Sequence, residues 1–183
     1  MKTSHKLIPM LLLTGAVALL ALACGKSTEP ETTNNGGDGD DTLVQLDGDR
    51  EFTAVDLEGN DRNSTEWVGQ KPLLVWFTGS WCYWCKVEAP DLVEAYDDYK
   101  DTNIEFVSLA VGDSQQSAQT FVDNYGITWP HLLINSNIAR DWQVRGYPTI
   151  VLISSDGTEY GRVVGAQDHA NLVRIIDQLL AAE

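Results

Sequence analysis

The sequence predicts an α/β domain, a central mixed sheet flanked by helices, over residues 43–183 of the 183-residue chain. From Leu43 onward, short apolar runs rich in β-branched residues alternate with longer amphipathic stretches, which is typical of α/β domains. Residues 72–78 are almost wholly apolar, as expected of a central strand with both faces covered. The length suits one domain with one ordinary core.

The first 23 residues predict a signal peptide. Lys2, His5 and Lys6 precede an apolar run over residues 11–22, and residues 1–23 contain no acid. The run is shorter than the roughly 20 apolar residues that a transmembrane helix needs. We therefore expect export rather than a permanent membrane span.

The end of this segment, Leu20-Ala21-Leu22-Ala23-Cys24-Gly25, resembles the lipobox of bacterial lipoproteins. The resemblance implies that Cys24 is acylated and anchors the protein on the periplasmic side of a bacterial membrane. Lipoboxes usually carry leucine and a small residue where Ala21 and Leu22 stand, so a soluble periplasmic protein is the alternative. Residues 24–42 lack large apolar side chains and predict a disordered tether.

The charge balance is strongly acidic. The chain has 12 Lys and Arg against 27 Asp and Glu, a net charge of −15. Removing Lys2 and Lys6 with the signal peptide leaves 10 basic residues against 27 acidic ones, a net charge of −17. Because phosphate binding needs clustered basic residues, we expect no nucleic-acid partner.

Periodicity and turn residues predict the elements of the domain. A β-hairpin is expected at residues 52–57 with a turn at 58–60, and a short helix at 64–68. Further strands are expected at residues 72–78, 103–111, 131–134, 149–153 and 159–164. Helices are expected at residues 82–99, 114–125 and 138–143, and from Asp168 onward.

Two of these helices carry apolar stripes that predict faces packed on the sheet. In the helix at 82–99 the stripe is Val87, Leu92, Val93 and Tyr96. In the last helix it is Leu172, Val173, Ile176, Leu179 and Leu180. Ser114 and Asp168 are predicted N-caps, and Gly126 is predicted to end its helix.

Two of the three cysteines lie where the predicted central strand gives way to a helix, in the run Trp81-Cys82-Tyr83-Trp84-Cys85-Lys86. A helix N-terminus stabilises an anion, so Cys82 is predicted to have a lowered thiol pKa and to act as the nucleophile. Cys85 lies one turn deeper on the same face and can close a disulfide with Cys82. In an oxidising compartment such a pair is either a small structural disulfide or a redox site.

Several features together resemble the thioredoxin superfamily. They are the strand before Trp-Cys-x-x-Cys-Lys, Pro90 after the second cysteine, and Tyr147-Pro148-Thr149 before a late strand. The N-terminal hairpin and the runs at 85–90 and 125–130 resemble the exported, membrane-tethered TlpA and ResA type of thiol-disulfide reductase. The resemblance implies a thioredoxin fold with an N-terminal β-hairpin extension.

The same resemblance implies a thiol:disulfide oxidoreductase that exchanges disulfides with exported proteins, in the reducing direction. Cytochrome maturation is one such role in that group. The implied partners are exported protein thiols and disulfides and an upstream membrane thiol carrier. We expect a monomer with no metal and no cofactor beyond the redox-active Cys82–Cys85 disulfide.

Individual roles follow from the matched positions. Pro148 would be the cis-proline that faces the disulfide, and Tyr147 would offer its backbone to an extended substrate peptide. Glu88, three residues beyond Cys85 on the same helical face, would relay a proton to or from that thiol. Trp76 stands where cytoplasmic thioredoxins carry an acid, which leaves Glu88 as the candidate proton relay.

Aromatic residues surround the cysteines. Tyr83 and Trp84 replace the Gly-Pro of thioredoxin, which leaves the redox potential open. With Trp81 they are candidates for partner binding, and the alternative is that they pack the helix start. Lys86 is interpreted as an exposed helix lysine or as a charge that favours the thiolates.

Three other functions are compatible with the cysteine pair. An oxidising disulfide donor uses the same dithiol in reverse, and potentials in such proteins span about 150 mV. A copper-binding metallochaperone uses two thiols and a histidine such as His131, although those proteins carry Cys-x-x-x-Cys. A binding module would hold the disulfide only as a structural link, and so small a loop stabilises little.

Overall fold

The computed structural model describes residues 51–183. The predictions for the signal peptide at 1–23, for lipidation of Cys24 and for the tether at 24–42 lie outside the described residues. Within residues 51–183, every helix is too short or too polar to span a bilayer.

Seven strands and four α-helices make up the described part of the chain. The strands are β1 Thr53–Val55, β2 Asp61–Asn63, β3 Leu73–Thr78, β4 Glu105–Val111, β5 His131–Ile134, β6 Thr149–Ile153 and β7 Glu159–Val164. The helices are α1 Tyr83–Tyr99, α2 Gln115–Tyr125, α3 Ser136–Asp141 and α4 His169–Ala181. A 3-10 turn at Ser64–Glu66 follows β2.

The strands form one mixed sheet in the order β2-β1-β5-β4-β3-β6-β7. Strand β4 runs parallel to β3 and to β5, whereas β6 runs antiparallel to β3 and to β7. The β1–β2 hairpin extends the sheet beyond β5. The predicted mixed sheet with an N-terminal hairpin is therefore confirmed.

The register of β3 and β6 positions the site. Phe77 near the end of β3 pairs with Thr149 at the start of β6. Because the two strands are antiparallel, the chain leaves β3 toward Cys82 at the same sheet edge at which it enters β6 after Pro148. Two segments distant in sequence thus meet at one edge.

Both faces of β3 are covered, which explains its nearly continuous apolar run. All six of its residues are buried. Leu74 and Trp76 belong to the core that includes α1 and α4, whereas Val75 and Phe77 belong to the core on the opposite face with Trp142. This alternation is the period-2 geometry of a strand.

The caps of the helices follow the prediction. Ser114 and Asp168 are the N-caps of α2 and α4, and each side chain accepts a hydrogen bond from a backbone N–H of the first turn. Gly126 ends α2 with φ of 69°, a left-handed conformation that glycine adopts without a steric penalty.

The predicted stripe on α1 is wrong at Val87, which is 44% exposed. The buried face consists instead of Cys85, Glu88, Ala89, Leu92 and Ala95. Val87 lies two residues from Cys85, about 200° around the helix, and so faces solvent. On α4 the buried residues are Leu172, Ile175, Ile176 and Leu179, while Val173 and Leu180 are half-buried.

Two short helices differ from the prediction. Helix α3 starts and ends two residues earlier than expected, because the Asn135 side chain accepts hydrogen bonds from the backbone N–H groups of Asn137 and Ile138 and caps it. Gln143 lies outside α3 with φ of 56°. The helix expected at 64–68 is only a 3-10 turn.

Replacing Leu92 by alanine should lower the free energy of unfolding by about 3 kcal/mol, since it leaves a cavity under α1. The matched Val87→Ala variant should stay within about 0.5 kcal/mol of the parent, because that side chain faces solvent. Equilibrium urea denaturation of the oxidised chain measures both values. Equal losses in the two variants would contradict the observed face of α1.

Candidate active site

Cys82 and Cys85 form a disulfide where α1 begins, with an S–S distance of 2.16 Å. Cys82 is the N-cap of α1, and its sulfur accepts a hydrogen bond of 3.1 Å from the backbone N–H of Cys85. Cys82 is 5% exposed and Cys85 is fully buried. The outer sulfur therefore lies at the positive end of the helix, where a thiolate is stabilised, and the inner sulfur lies in the core.

The loop from β3 to α1 is held by Asp113, which sequence reasoning missed. The Asp113 carboxylate accepts hydrogen bonds from the backbone N–H of Ser80 at 2.7 Å and from its hydroxyl at 2.5 Å. The Ser117 hydroxyl on α2 donates to the same carboxylate at 3.1 Å. Asp113 thereby ties the start of α2 to the segment that presents Cys82. Its place two residues after the buried strand β4 was the one signal in the sequence, and it did not point to Ser80 as the partner.

Trp81 joins the cysteine loop to its neighbours. Its indole N–H donates to the backbone oxygen of Val111 at 2.8 Å, and its ring packs edge-on against Tyr147 at a centroid distance of 5.3 Å. A Cβ atom on Gly79 would lie 2.6 Å from the Trp81 indole nitrogen, so the ring requires glycine at position 79. The Trp81–Tyr147 contact places the cysteine loop beside the loop that precedes β6.

The Tyr147–Pro148 peptide bond is cis, which confirms the predicted geometry. The Pro148 backbone oxygen accepts a hydrogen bond of 2.9 Å from the N–H of Gly165, and the Thr149 hydroxyl donates to the backbone oxygen of Gly146 at 2.8 Å. These bonds hold the loop at the end of the β6–β7 pair where β6 begins and β7 ends. A cis-proline loop therefore lies at the sheet edge that carries the disulfide.

Glu88 is buried in α1 with only 1% of its surface exposed. The indole N–H of Trp76 donates to Oε2 at 2.5 Å, and the backbone N–H of Gln167 donates to Oε1 at 2.9 Å. Burial raises the pKa of Glu88 to about 7, and the two hydrogen bonds oppose this shift without cancelling it. The carboxyl is thus close to half-ionised at neutral pH, one helical turn from Cys85.

The contact with Trp76 is a feature that the sequence did not reveal. Trp76 occupies the strand position at which cytoplasmic thioredoxins carry an acid, and here its indole serves as a hydrogen-bond donor to the acid on α1. The partner at Gln167 is a backbone N–H, so its residue type carried no signal. In this protein the acid therefore lies on the helix, and the strand residue donates a hydrogen bond to it.

Tyr83 and Trp84 lie in solvent at the start of α1, 69% and 58% exposed, with their rings in edge-on contact at 5.2 Å. Of the six large apolar residues that are exposed among residues 51–183, four lie within two residues of a cysteine, Val164 is on the β7 strand that pairs with β6 after the cis-proline, and Val55 lies in β1. We call all of them except Val55 the apolar rim: Trp81, Tyr83, Trp84, Val87 and Val164. Val164 was missed by sequence reasoning. It pairs with Thr149 next to the cis-proline.

His131 lies in β5 with 4% of its surface exposed, and neither ring nitrogen has a hydrogen-bond partner among the described residues. Burial lowers the pKa of His131 to about 4, so the ring is neutral at physiological pH. Residues 51–183 hold no group of three or more His, Cys, Asp or Glu side chains arranged for a metal ion.

Comparison with known proteins identifies the family of this site. A family model described as a thioredoxin-like domain matches residues 68–180. The chain is 30% identical over 122 residues to a thiol-disulfide oxidoreductase ResA of Bacillus thuringiensis strain Al Hakam, covering 66% of this chain and 70% of the relative. It is 26% identical over 151 residues to ResA of Bacillus subtilis strain 168, covering 79% and 78%.

Solved structures agree with this relationship. A secreted Mycobacterium tuberculosis disulfide oxidoreductase, described as homologous to Escherichia coli DsbE, has a TM-score of 0.63 and 26% identity, with 71% of this chain and 97% of that chain covered. A putative thiol:disulfide interchange protein DsbE from Chlorobium tepidum shares the fold, with a TM-score of 0.66, 22% identity and coverage of 77% and 99%. With its disulfide at a helix start beside a cis-proline, the chain belongs to the thioredoxin-like family and is a thiol-disulfide oxidoreductase related to ResA.

Proposed function

We propose that this oxidoreductase reduces disulfides of exported proteins through the Cys82/Cys85 dithiol. The observation that carries the proposal is the asymmetry of the two sulfurs. The sulfur of Cys82 caps α1, whereas Cys85 is fully buried one turn from Glu88. The pair therefore has one sulfur suited to attack and another suited to release the partner.

In the reduced enzyme the Cys82 thiolate attacks one sulfur of a partner disulfide. The partner S–S bond breaks, a Cys82–partner disulfide forms, and the other partner sulfur leaves as a thiolate that takes a proton from solvent. The Cys85 thiol then gives its proton to ionised Glu88 and attacks the Cys82 sulfur. This step closes the Cys82–Cys85 disulfide and releases the second partner thiolate, so that two electrons have passed to the partner.

The surroundings of Cys85 favour the reducing direction. Strong disulfide donors owe their oxidising power to a stabilised reduced form. Here burial disfavours a thiolate at Cys85, and the nearby Glu88 carboxylate disfavours a second negative charge. Helix stabilisation of the Cys82 thiolate acts in the opposite direction, and in this proposal the two effects at Cys85 outweigh it, which leaves the dithiol a comparatively good electron donor. The opposite direction, disulfide donation, is the alternative.

The reduction potential should accordingly lie nearer to the value of about −270 mV known for thioredoxin than to the value of about −120 mV of a strong disulfide donor. Equilibration with dithiothreitol redox buffers at pH 7, followed by alkylation and mass spectrometry, measures it. In the same measurement repeated at pH 8, where the parent carboxyl is ionised, the Glu88→Gln variant should have a less negative potential than the parent, because it lacks the carboxylate. A parent value near −120 mV would assign the protein to disulfide donation.

The apolar rim supports an unfolded or extended polypeptide as the partner. Four rim residues, Trp81, Tyr83, Trp84 and Val87, lie within the cysteine run or directly after it. The cis-proline loop at Tyr147 contacts Trp81 and supplies a backbone segment for strand-like pairing. An apolar segment next to a partner cysteine could bury rim surface while its disulfide reaches Cys82.

Trapping tests the assigned roles of the two cysteines. A full-length Cys85→Ser chain expressed in cells should accumulate mixed disulfides with exported proteins, because attack by Cys82 proceeds and release does not. A Cys82→Ser chain should trap almost nothing, because Cys85 is buried. Non-reducing gels and mass spectrometry of the purified chain give the result. Similar trapping by both variants would contradict the assignment.

The same proposal includes the localisation of the protein. The chain is exported and attached through a lipid on Cys24 to the periplasmic face of a bacterial membrane. There it acts as a monomer and is reduced by a membrane thiol carrier. The signal-like residues 1–23 support export, as does the description of the Mycobacterium tuberculosis protein as secreted. When the cells used for trapping express a Cys24→Ser chain and are fractionated, that chain should move from the membrane to the soluble fraction. Retention in the membrane would contradict the lipid anchor.

The release step should depend on the ionisation of Glu88. Below pH 7 its carboxyl is protonated and cannot accept the Cys85 proton, so the rate of release should rise with pH through about 7. In Glu88→Gln this inflection should disappear, leaving only the rise due to ionisation of the Cys85 thiol, which burial shifts to higher pH. Stopped-flow tryptophan fluorescence from pH 5 to 9 measures the profile.

Trp76→Phe provides a matched control for this profile. It removes the N–H donor but keeps an aromatic ring, so the pKa of Glu88 should rise and the inflection should move above pH 7. Far-UV circular dichroism checks that the variant is folded. An unchanged inflection in both Glu88→Gln and Trp76→Phe would contradict proton relay by Glu88.

A further inference from the structure

A polar groove of about 530 Å³ opens between α2 and the segment that carries the cysteines. One wall is formed by Gln116, Thr120 and Asn124, which follow one another at four-residue spacing and are exposed along α2. Ser80 and Lys86 line the other side, and Phe121 lines the groove as a buried aromatic residue. The groove thus begins two residues before Cys82 and runs along α2.

The groove differs in charge from the rest of the protein. None of its lining residues is Asp or Glu, although the chain has 27 such residues and a net charge of −15. Its one ionised lining group is the exposed ammonium of Lys86. The nearby carboxylate of Asp113 is engaged by Ser80 and Ser117. The remaining lining consists mainly of hydroxyl and amide groups, which hydrogen-bond to a peptide backbone or to a carboxylate.

The dimensions of the groove suit an extended peptide. From Gln116 to Asn124 the axis of α2 rises by about 12 Å. An extended chain covers about 3.3 Å per residue, so three to four residues fit along this wall. A partner cysteine joined to Cys82 would leave its neighbouring residues within reach of the groove.

We infer that this groove binds the segment of the partner polypeptide that flanks its reactive cysteine, and that Lys86 selects an acidic side chain in that segment. The inference rests on the proposed function, since it concerns the partner joined to Cys82. It adds a polar subsite to the apolar rim. A preferred partner therefore carries apolar residues near its cysteine and an Asp or Glu a few residues away.

The subsite is separate from the proton relay. Lys86 and Glu88 are two residues apart in α1, so their side chains point about 200° apart around the helix. Glu88 faces Trp76 and Gln167, whereas Lys86 faces α2. Changes on the α2 wall, such as Asn124→Asp, therefore alter the charge of the groove without contacting Cys82, Cys85 or Glu88.

Competition between peptides tests the subsite. A full-length Cys85→Ser chain, first converted to its Cys82–glutathione mixed disulfide, is equilibrated with two peptides that differ only in one residue. That residue, Glu or Lys, is placed two to four positions before or after a single cysteine. Mass spectrometry of the intact chain gives the ratio of the two mixed disulfides. Comparing the ratio between protein variants cancels any intrinsic difference between the peptide thiols.

The ratio of the Glu-peptide to the Lys-peptide mixed disulfide should be about two- to fivefold higher in the parent than in Lys86→Gln, the range for an exposed ion pair. Asn124→Asp should shift the ratio toward the Lys peptide. The control Lys100→Gln should match the parent, because Lys100 pairs with Asp97 at the far end of α1. Equal ratios in the parent, Lys86→Gln and Asn124→Asp would overturn the inference while leaving the proposed function intact. A chain that forms no mixed disulfide at Cys82 would overturn the proposed function and this inference together.

Discussion

The central constraint is the pairing of β3 on both sides, with parallel β4 and antiparallel β6. The parallel neighbour fixes β3 in the interior of the sheet, and the chain leaves its carboxyl end into α1. The antiparallel neighbour starts at the same edge, directly after the cis-proline. A disulfide at a helix start and the cis-proline loop are therefore brought together by strand register. The Trp81–Tyr147 contact and the Asp113 hydrogen bonds then refine that placement.

Burial of Glu88 follows from its position on the face of α1 that packs on the sheet, and it has an energetic consequence. The folded protein keeps a proton on this carboxyl up to about pH 7, whereas an unfolded glutamate releases it near pH 4.5. Between these values the folded state binds more protons, so stability falls as pH rises through that window. The shift corresponds to roughly 3 kcal/mol. This loss of stability brings no benefit to a glutamate with a purely structural role, whereas a proton acceptor beside a thiol needs a pKa near the working pH.

Features set by local sequence could be predicted, and features set by contacts between elements could not. The strands at 131–134, 149–153 and 159–164, the caps at Ser114 and Asp168, and the cysteine pair at a helix start all follow from nearby residues. The stripe on α1 failed at Val87 because periodicity alone does not fix which side of a helix meets the sheet. The Trp76–Glu88 and Ser80–Asp113 bonds join different elements, and no spacing rule relates their partners.

The two flanks of α1 divide the chemistry of the site. The flank with Glu88 is buried, holds hydrogen-bond donors at fixed distances and responds to pH. The flank with Lys86 is open, polar and free of acids, and the rim residues Tyr83, Trp84 and Val87 lie between the two flanks at the start of the helix. On a protein of net charge −15, long-range fields repel acidic partners, but at physiological salt they fade beyond about 8 Å. In the proposed function, partner choice therefore depends on short-range contacts next to Cys82, where the acid-free groove and the exposed aromatic rings lie apart from the buried Glu88 carboxyl.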